Sequence, residues 1–120
     1  MTDYSQMSDF EINKAVADIV MNGTWHVTPS HPDNKTGGWL YGSNGIQTYP
    51  LPDYCNSWAD AGPIIEKNGI GIYFIGEGHH RGKWGSDAPG GRPYVYGDSL
   101  LRNAMIVFLM MQDSSNANPI

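Results

Sequence analysis

Ala104 to Met111 is an unbroken run of eight apolar residues, and nothing else in the chain restricts its folding as tightly. Asp98 or Ser99 ahead of the run can act as an N-cap, and the pattern predicts a helix from about Ser99 to Gln112. A bilayer needs about 20 residues at about 1.5 Å each, so this helix is too short to cross one. A helix that is apolar on every side has to be buried on every side. In a chain of 120 residues that makes it the centre of the core. It also leads us to expect that one face meets a second copy of the chain, giving a homo-oligomer through the C-terminal helix.

Two more helices are marked by their ends. Ser8 and Glu11 form a capping box, with Met7 and Ile12 placed for a hydrophobic staple. Ile12, Ala15, Val16, Ile19 and Val20 then recur on one helical face, which predicts a helix over 9–21 closed by Asn22-Gly23. A second helix is predicted over 56–68, capped by Ser57 or Asn56 and closed by Asn68-Gly69. Pro63 within it predicts a kink or a start nearer Asp60.

Strand patterns fall at 24–28, 39–41, 46–49, 70–75 and 94–96, with Pro50 and Pro52 stopping the third. In 70–75, Ile70, Ile72 and Phe74 face one way, and Gly71, Tyr73 and Ile75 the other. Residues 114–120 read as a solvated tail. The fold class is α+β: a small antiparallel sheet packed with three helices in one domain over 1–120.

The formal net charge is −5 and only 16% of residues are charged, which excludes a broad basic face for bulk DNA or RNA. Cys55 is the only cysteine, so there is neither an intrachain disulfide nor a cysteine-based zinc cluster. The N-terminal MTDYSQMSD has neither the basic nor the apolar region of a signal peptide, consistent with a cytosolic protein.

The stretch most suggestive of function is 76–93, GEGHHRGKWGSDAPGGRP, with glycine at 76, 78, 82, 85, 90 and 91. It reads as one long glycine-rich loop, a poor helix or strand former. His79, His80, Arg81, Lys83, Trp84 and Arg92 lie in it. Arg and Lys can neutralise phosphate, Arg bidentately. Trp84, with Trp39, Tyr94 and Tyr96 from outside the loop, can stack on a base. Bare backbone N–H groups in glycine turns add further anion donors. The ordinary reading of each aromatic is sheet or core packing, least natural for Trp84 among glycines.

Catalytic patterns are lacking. His79 and His80 are adjacent and would point oppositely on a strand. Glu77 with His79 would need His26, His31 or Asp87 as distant metal partners, and no HExxH spacing occurs. Cys55 reads as a small buried hydrophobe rather than half of a Cys–His pair. Gly82-Lys83 lacks the flanks of a phosphate-binding Walker loop, and Gly76-Glu77-Gly78 leads into no helix. No cofactor or metal is expected.

Four blocks in order are SDFEIN (8–13), DYCN (53–56), ADAGPII (59–65) and LRNAMIVFLMMQ (101–112). They resemble the NinX-like family of small phage proteins. Gly62 stands where that resemblance leads us to expect a large aromatic, and 76–93 carries no part of it. The resemblance implies a phage or prophage origin and action in the cytoplasm of a bacterial host, but supplies no mechanism. The chain is also similar, in size and character only, to small phage proteins that sequester cyclic-nucleotide or ADP-ribose-derived signals.

The function expected is therefore a non-enzymatic phage protein that binds a small anionic, nucleotide-like signal and so counters host defence. The candidate ligand-binding residues are His79, His80, Arg81, Lys83, Trp84, Arg92, Tyr94 and Trp39. The alternative is a modulator that docks onto a host or phage protein through the loop. A phosphodiesterase-like enzyme acting on the same signals is the weaker third option.

Overall fold

The apolar run becomes the central element. A computed structural model describes residues 3–21, 25–42 and 48–117. Its last helix spans Leu100–Ala117, and Ala104 through Leu109 within it are all buried. The other two helices span Asp9–Val20 and Trp58–Asn68; in chain order the three are α1, α2 and α3. Both pack on α3, as does the second of two small sheets. Its own chain thus covers the run, and its burial requires no second subunit. The helix outlasts the expected Gln112 and takes up most of the stretch read as a tail; 118–120 lie outside the described residues.

The α+β architecture is as expected, but the strands divide into two three-stranded antiparallel sheets. The first holds β1 (Trp25–Val27), β2 (Leu40–Gly42) and β3 (Thr48–Pro50) in that order. Pro50 is the last residue of an edge strand, where a missing N–H costs least. Thr24, Ile46 and Gln47, and the Asn22-Gly23 helix stop, fall outside the described residues.

The second sheet holds β4 (Gly71–Phe74), β5 (Trp84–Asp87) and β6 (Tyr94–Gly97), again in order. Here the sequence reading is corrected. Residues 76–93 are not one loop, because β5 lies inside them and is the central strand, paired on both sides.

Glycine in β5 is there for fit. Gly85 lies opposite Tyr73 on one side and Tyr96 on the other. A Cβ on it would sit 2.5 Å from a Tyr73 ring carbon and 2.9 Å from a Tyr96 ring carbon. The two rings close over the bare backbone and supply the side-chain contact that glycine lacks. Ser86 beside it is fully buried and donates to the Gly71 carbonyl at 2.7 Å.

The capping box of α1 is formed in both directions, each bond at 3.1 Å. Its buried face is rotated from the expected one: Ile12, Asn13, Val16 and Ala17 are buried, while Ile19 and Val20 are exposed. Asn13 drives the rotation. Its amide donates to Asp53 at 2.9 Å, and its carbonyl oxygen accepts from the Cys55 backbone at 3.0 Å. A polar side chain with both ends satisfied can be buried at little cost.

The same region ties down α3. Arg102 donates to Asp9 at 2.8 Å and to the Met7 carbonyl at 2.6 Å, and Asn56 bridges Asp9 and Asp53. The first, second and fourth blocks of the family resemblance thus meet in one polar cluster.

Helix α2 is capped by Ser57, whose hydroxyl accepts from the Asp60 backbone at 3.3 Å, and ends at Gly69 in the left-handed conformation. Pro63 neither breaks it nor delays its start; it lies inside one continuous helix from Trp58. One absent N–H and the proline ring are accommodated on an exposed side of the helix.

Asn103 seats α3 on the second sheet. Buried, it donates to the Trp84 carbonyl at 3.2 Å and to the Gly97 carbonyl at 3.1 Å, joining β5 and β6. Asn103→Ala is expected to lower unfolding free energy by about 1–3 kcal/mol in urea titrations, because both carbonyls lose a donor under the helix. Gly85→Ala is expected to cost about 1–3 kcal/mol in the same assay through overpacking against the two tyrosines.

Candidate functional site

The second sheet has two unlike faces, set by strand register. Ile72, Phe74, Trp84, Ser86, Val95 and Gly97 alternate onto one; Gly71, Tyr73, Gly85, Asp87, Tyr94 and Tyr96 onto the other. Helix α3 packs on the first, where the Asn103 oxygen would be 2.6 Å from a Cβ at Gly97. The second is open, with Tyr73 38% and Tyr94 43% exposed.

The turn between β4 and β5 folds Arg81 and His79 onto the open face. Gly82 donates to the His79 carbonyl at 3.1 Å, and the Arg81 backbone donates to His79 Nδ1 at 3.2 Å. Gly82 has φ +113°, and a Cβ there would be 2.5 Å from Gly97 backbone atoms, so only glycine lets the turn lie against the end of β6.

Above the sheet, the Arg81 guanidinium stands 4.6 Å from the Tyr96 ring centre and 5.9 Å from that of Tyr94. The two rings are 5.5 Å apart. His79 and His80 stack at 4.9 Å with planes 22° apart, and His79 is 6.1 Å from Tyr96. Burial first, and hydrogen bonding to Tyr96 second, raise the Tyr73 phenol above its usual pKa.

Of the eight predicted site residues, His79, His80, Arg81 and Tyr94 come together here. The backbone of Lys83 anchors the turn: its carbonyl accepts from Ile75 at 2.7 Å, and its N–H donates to Asp98 at 3.1 Å. Arg92 is exposed on the β5–β6 turn, beyond the tyrosines.

Two aromatics are placed elsewhere. Trp84 is on the helix side of the sheet, edge-on to Phe74 at 5.1 Å. Trp39 belongs to the first sheet's surroundings, beside His26 at 5.1 Å, with the Lys14 ammonium 4.7 Å from a ring centre.

The open face also presents Tyr73, Gly85 and Asp87, which the sequence did not lead us to expect as ligand-binding residues, and Tyr96, which it marked only as a stacking aromatic. The alternating Tyr94-Val95-Tyr96 carried a signal for Tyr96, and the alternation of 70–75 placed Tyr73 on one face, but nothing pointed Gly85 or Asp87 towards a ligand.

A surface hollow lined by Trp58, Gly62, Pro63 and Ile65 of α2 holds none of the predicted residues. Gly62 there meets nothing nearer than the Trp58 ring, 3.9 Å from where its Cβ would be.

The geometry gives no support to a reactive cysteine. Cys55 is 1% exposed, with its sulfur 3.8 Å from the Asp9 carbonyl. Burial, and then the Asp9 charge, push its thiol up to about 12. Among the described residues, no three His, Cys, Asp or Glu side chains gather to hold a metal ion, and no helix is long and apolar enough to cross a membrane.

The family model for bacteriophage P22 NinX matches residues 3–112, almost the whole chain. The chain belongs to the NinX family. The matched span runs through the helices and also through 76–93, so the open tyrosine face lies within the NinX region. Neither the curated proteins nor the solved structures yielded a match.

Cys55 and Tyr54 give a pH prediction. Burial, then the Asp60 charge, push the Tyr54 phenol to about 12 as well. The unfolded chain releases these protons near the ordinary values of 9.0 and 10.0, whereas the folded chain holds both to about 12. Their contribution to stability is thus full below pH 9 and is lost as pH rises towards about 12. The urea midpoint is expected to fall steadily between about pH 8 and about pH 11. At neutral pH a thiol reagent is expected to label Cys55 only after denaturation.

Proposed function

We propose that this NinX-family protein binds a small nucleotide-derived signalling molecule on the open tyrosine face and, without altering it, withholds it from a host anti-phage defence. The reading takes it to act in the host cytoplasm. One observation carries it: Arg81 stands over Tyr96 beside the stacked pair His79 and His80, with Tyr94 next in the row. A guanidinium for phosphate next to ring surfaces for bases is the combination such a ligand needs.

Magnitudes favour a ligand with more than one base or phosphate. One base stacked on an aromatic is worth about 1–3 kcal/mol, and one charge-assisted hydrogen bond about 1.5–3 kcal/mol. A dissociation constant of about 1 μM needs about 8 kcal/mol. A mononucleotide on an open face falls short, while a cyclic dinucleotide or a diphosphate-bridged ligand can use several of these groups at once.

A second reading has its own support. Tyr73 at 38% and Tyr94 at 43% exposure leave aromatic surface on the open face of the kind that docks onto a protein. A homo-oligomer remains part of the proposal as an arrangement that could join two such faces.

Calorimetry against cyclic dinucleotides, cyclic oligonucleotides and ADP-ribose derivatives is the test. At least one is expected to bind better than about 10 μM and to be recovered intact after denaturation. Arg81→Ala and His79→Ala are each expected to weaken it by about tenfold or more, corresponding to about 1.4 kcal/mol, whereas Trp39→Phe changes nothing. A panel without binding, together with a stoichiometric protein captured from host lysate and lost on deleting 79–82, would move the assignment to the second reading.

A further inference from the structure

Asp87 lies on the same open face as the tyrosines, directly across from Tyr94 and two residues from Gly85 along β5. Its carboxylate leans over β4: an oxygen would be 2.5 Å from a Cβ at Gly71, so the glycine makes room for it. The residue is half-buried, and among the described residues no hydrogen bond or ion pair satisfies the carboxylate. Arg92, on the turn beyond, makes no ion pair with it either. A partly solvent-exposed carboxylate that no side chain engages, beside a row of aromatic rings, is free to accept donors from a ligand in place of water.

Resting on the reading above, we infer that Asp87 selects ligands carrying two adjacent hydrogen-bond donors, and that it orients them on the tyrosine face. Arg81 over Tyr96 draws the phosphate to one end of the row. Asp87 repels phosphate at the other end and accepts a donor pair in parallel, the geometry in which a carboxylate binds best. Two nucleotide parts offer such a pair: the N1–H and N2–H edge of guanine, and the vicinal hydroxyls of a ribose. An adenine edge without a free diol offers none.

The test compares cyclic di-GMP, cyclic di-AMP, ADP-ribose and a 2′,3′,2″,3″-tetradeoxy ADP-ribose, which has no vicinal hydroxyls on either ribose, by calorimetry, on the wild-type chain, Asp87→Asn and Arg81→Ala. Wild type is expected to bind cyclic di-GMP, ADP-ribose or both at least about tenfold more tightly than the counterpart lacking the donor pair. Cyclic di-GMP against cyclic di-AMP reports the guanine edge, and ADP-ribose against its tetradeoxy form reports the diol.

Asp87→Asn keeps the side-chain shape and is expected to erase the preference. Arg81→Ala is expected to weaken every ligand while leaving the preference in place. Binding without preference, or a preference that survives Asp87→Asn, overturns the role of Asp87 and leaves the site standing. Failure of all four ligands to bind the folded wild type removes the nucleotide reading, and this inference with it.

Discussion

A single buried amide fixes where α3 sits on the second sheet. Asn103 sits on a helix otherwise apolar through its middle, and both its donor hydrogens go to carbonyls of neighbouring strands. Apolar packing alone would let α3 slide or rotate over the second sheet, because it is non-directional. Two hydrogen bonds at fixed positions remove that freedom. Gly97 is part of the same constraint, since any side chain there would collide with the amide. Once α3 is seated, the helix side of the sheet is committed to the core, and the tyrosines are left outside.

Much of the frame was legible locally. Capping residues marked all three helices, with 3.6-residue spacing for α1 and an apolar run for α3, since these signals lie within a few positions of one another. The errors came where distant residues decide. The buried face of α1 turned because Asn13 finds partners at Asp53 and Cys55, some forty positions on. Pro63 read as a kink or a later start, but the helix runs unbroken from Trp58 with Pro63 on its exposed side. Strand β5 was hidden because glycine normally disfavours strands; only the rings of Tyr73 and Tyr96, contributed by two other strands, make Gly85 the right residue.

The candidate site shows the same division. The cationic turn was visible as a cluster in the chain, and it is a cluster in space. Trp84 was the natural stacking residue if its surroundings were loop. As a strand residue it alternates away from Tyr73, Tyr94 and Tyr96, and is committed to Phe74 instead. Asp87 was marked only as a distant metal partner, because its place across from Tyr94 appears only once the sheet is assembled.

The openness of the tyrosine face has a kinetic side. No described segment covers Tyr94 or Tyr73, so an arriving molecule need not wait for a lid to move. In the proposed role, association would then be limited by diffusion and orientation, and retention would rest on how slowly the rings and the guanidinium let go. A protein that competes with a receptor for a scarce messenger gains from this arrangement, since early in an encounter the faster captor prevails whatever the final equilibrium.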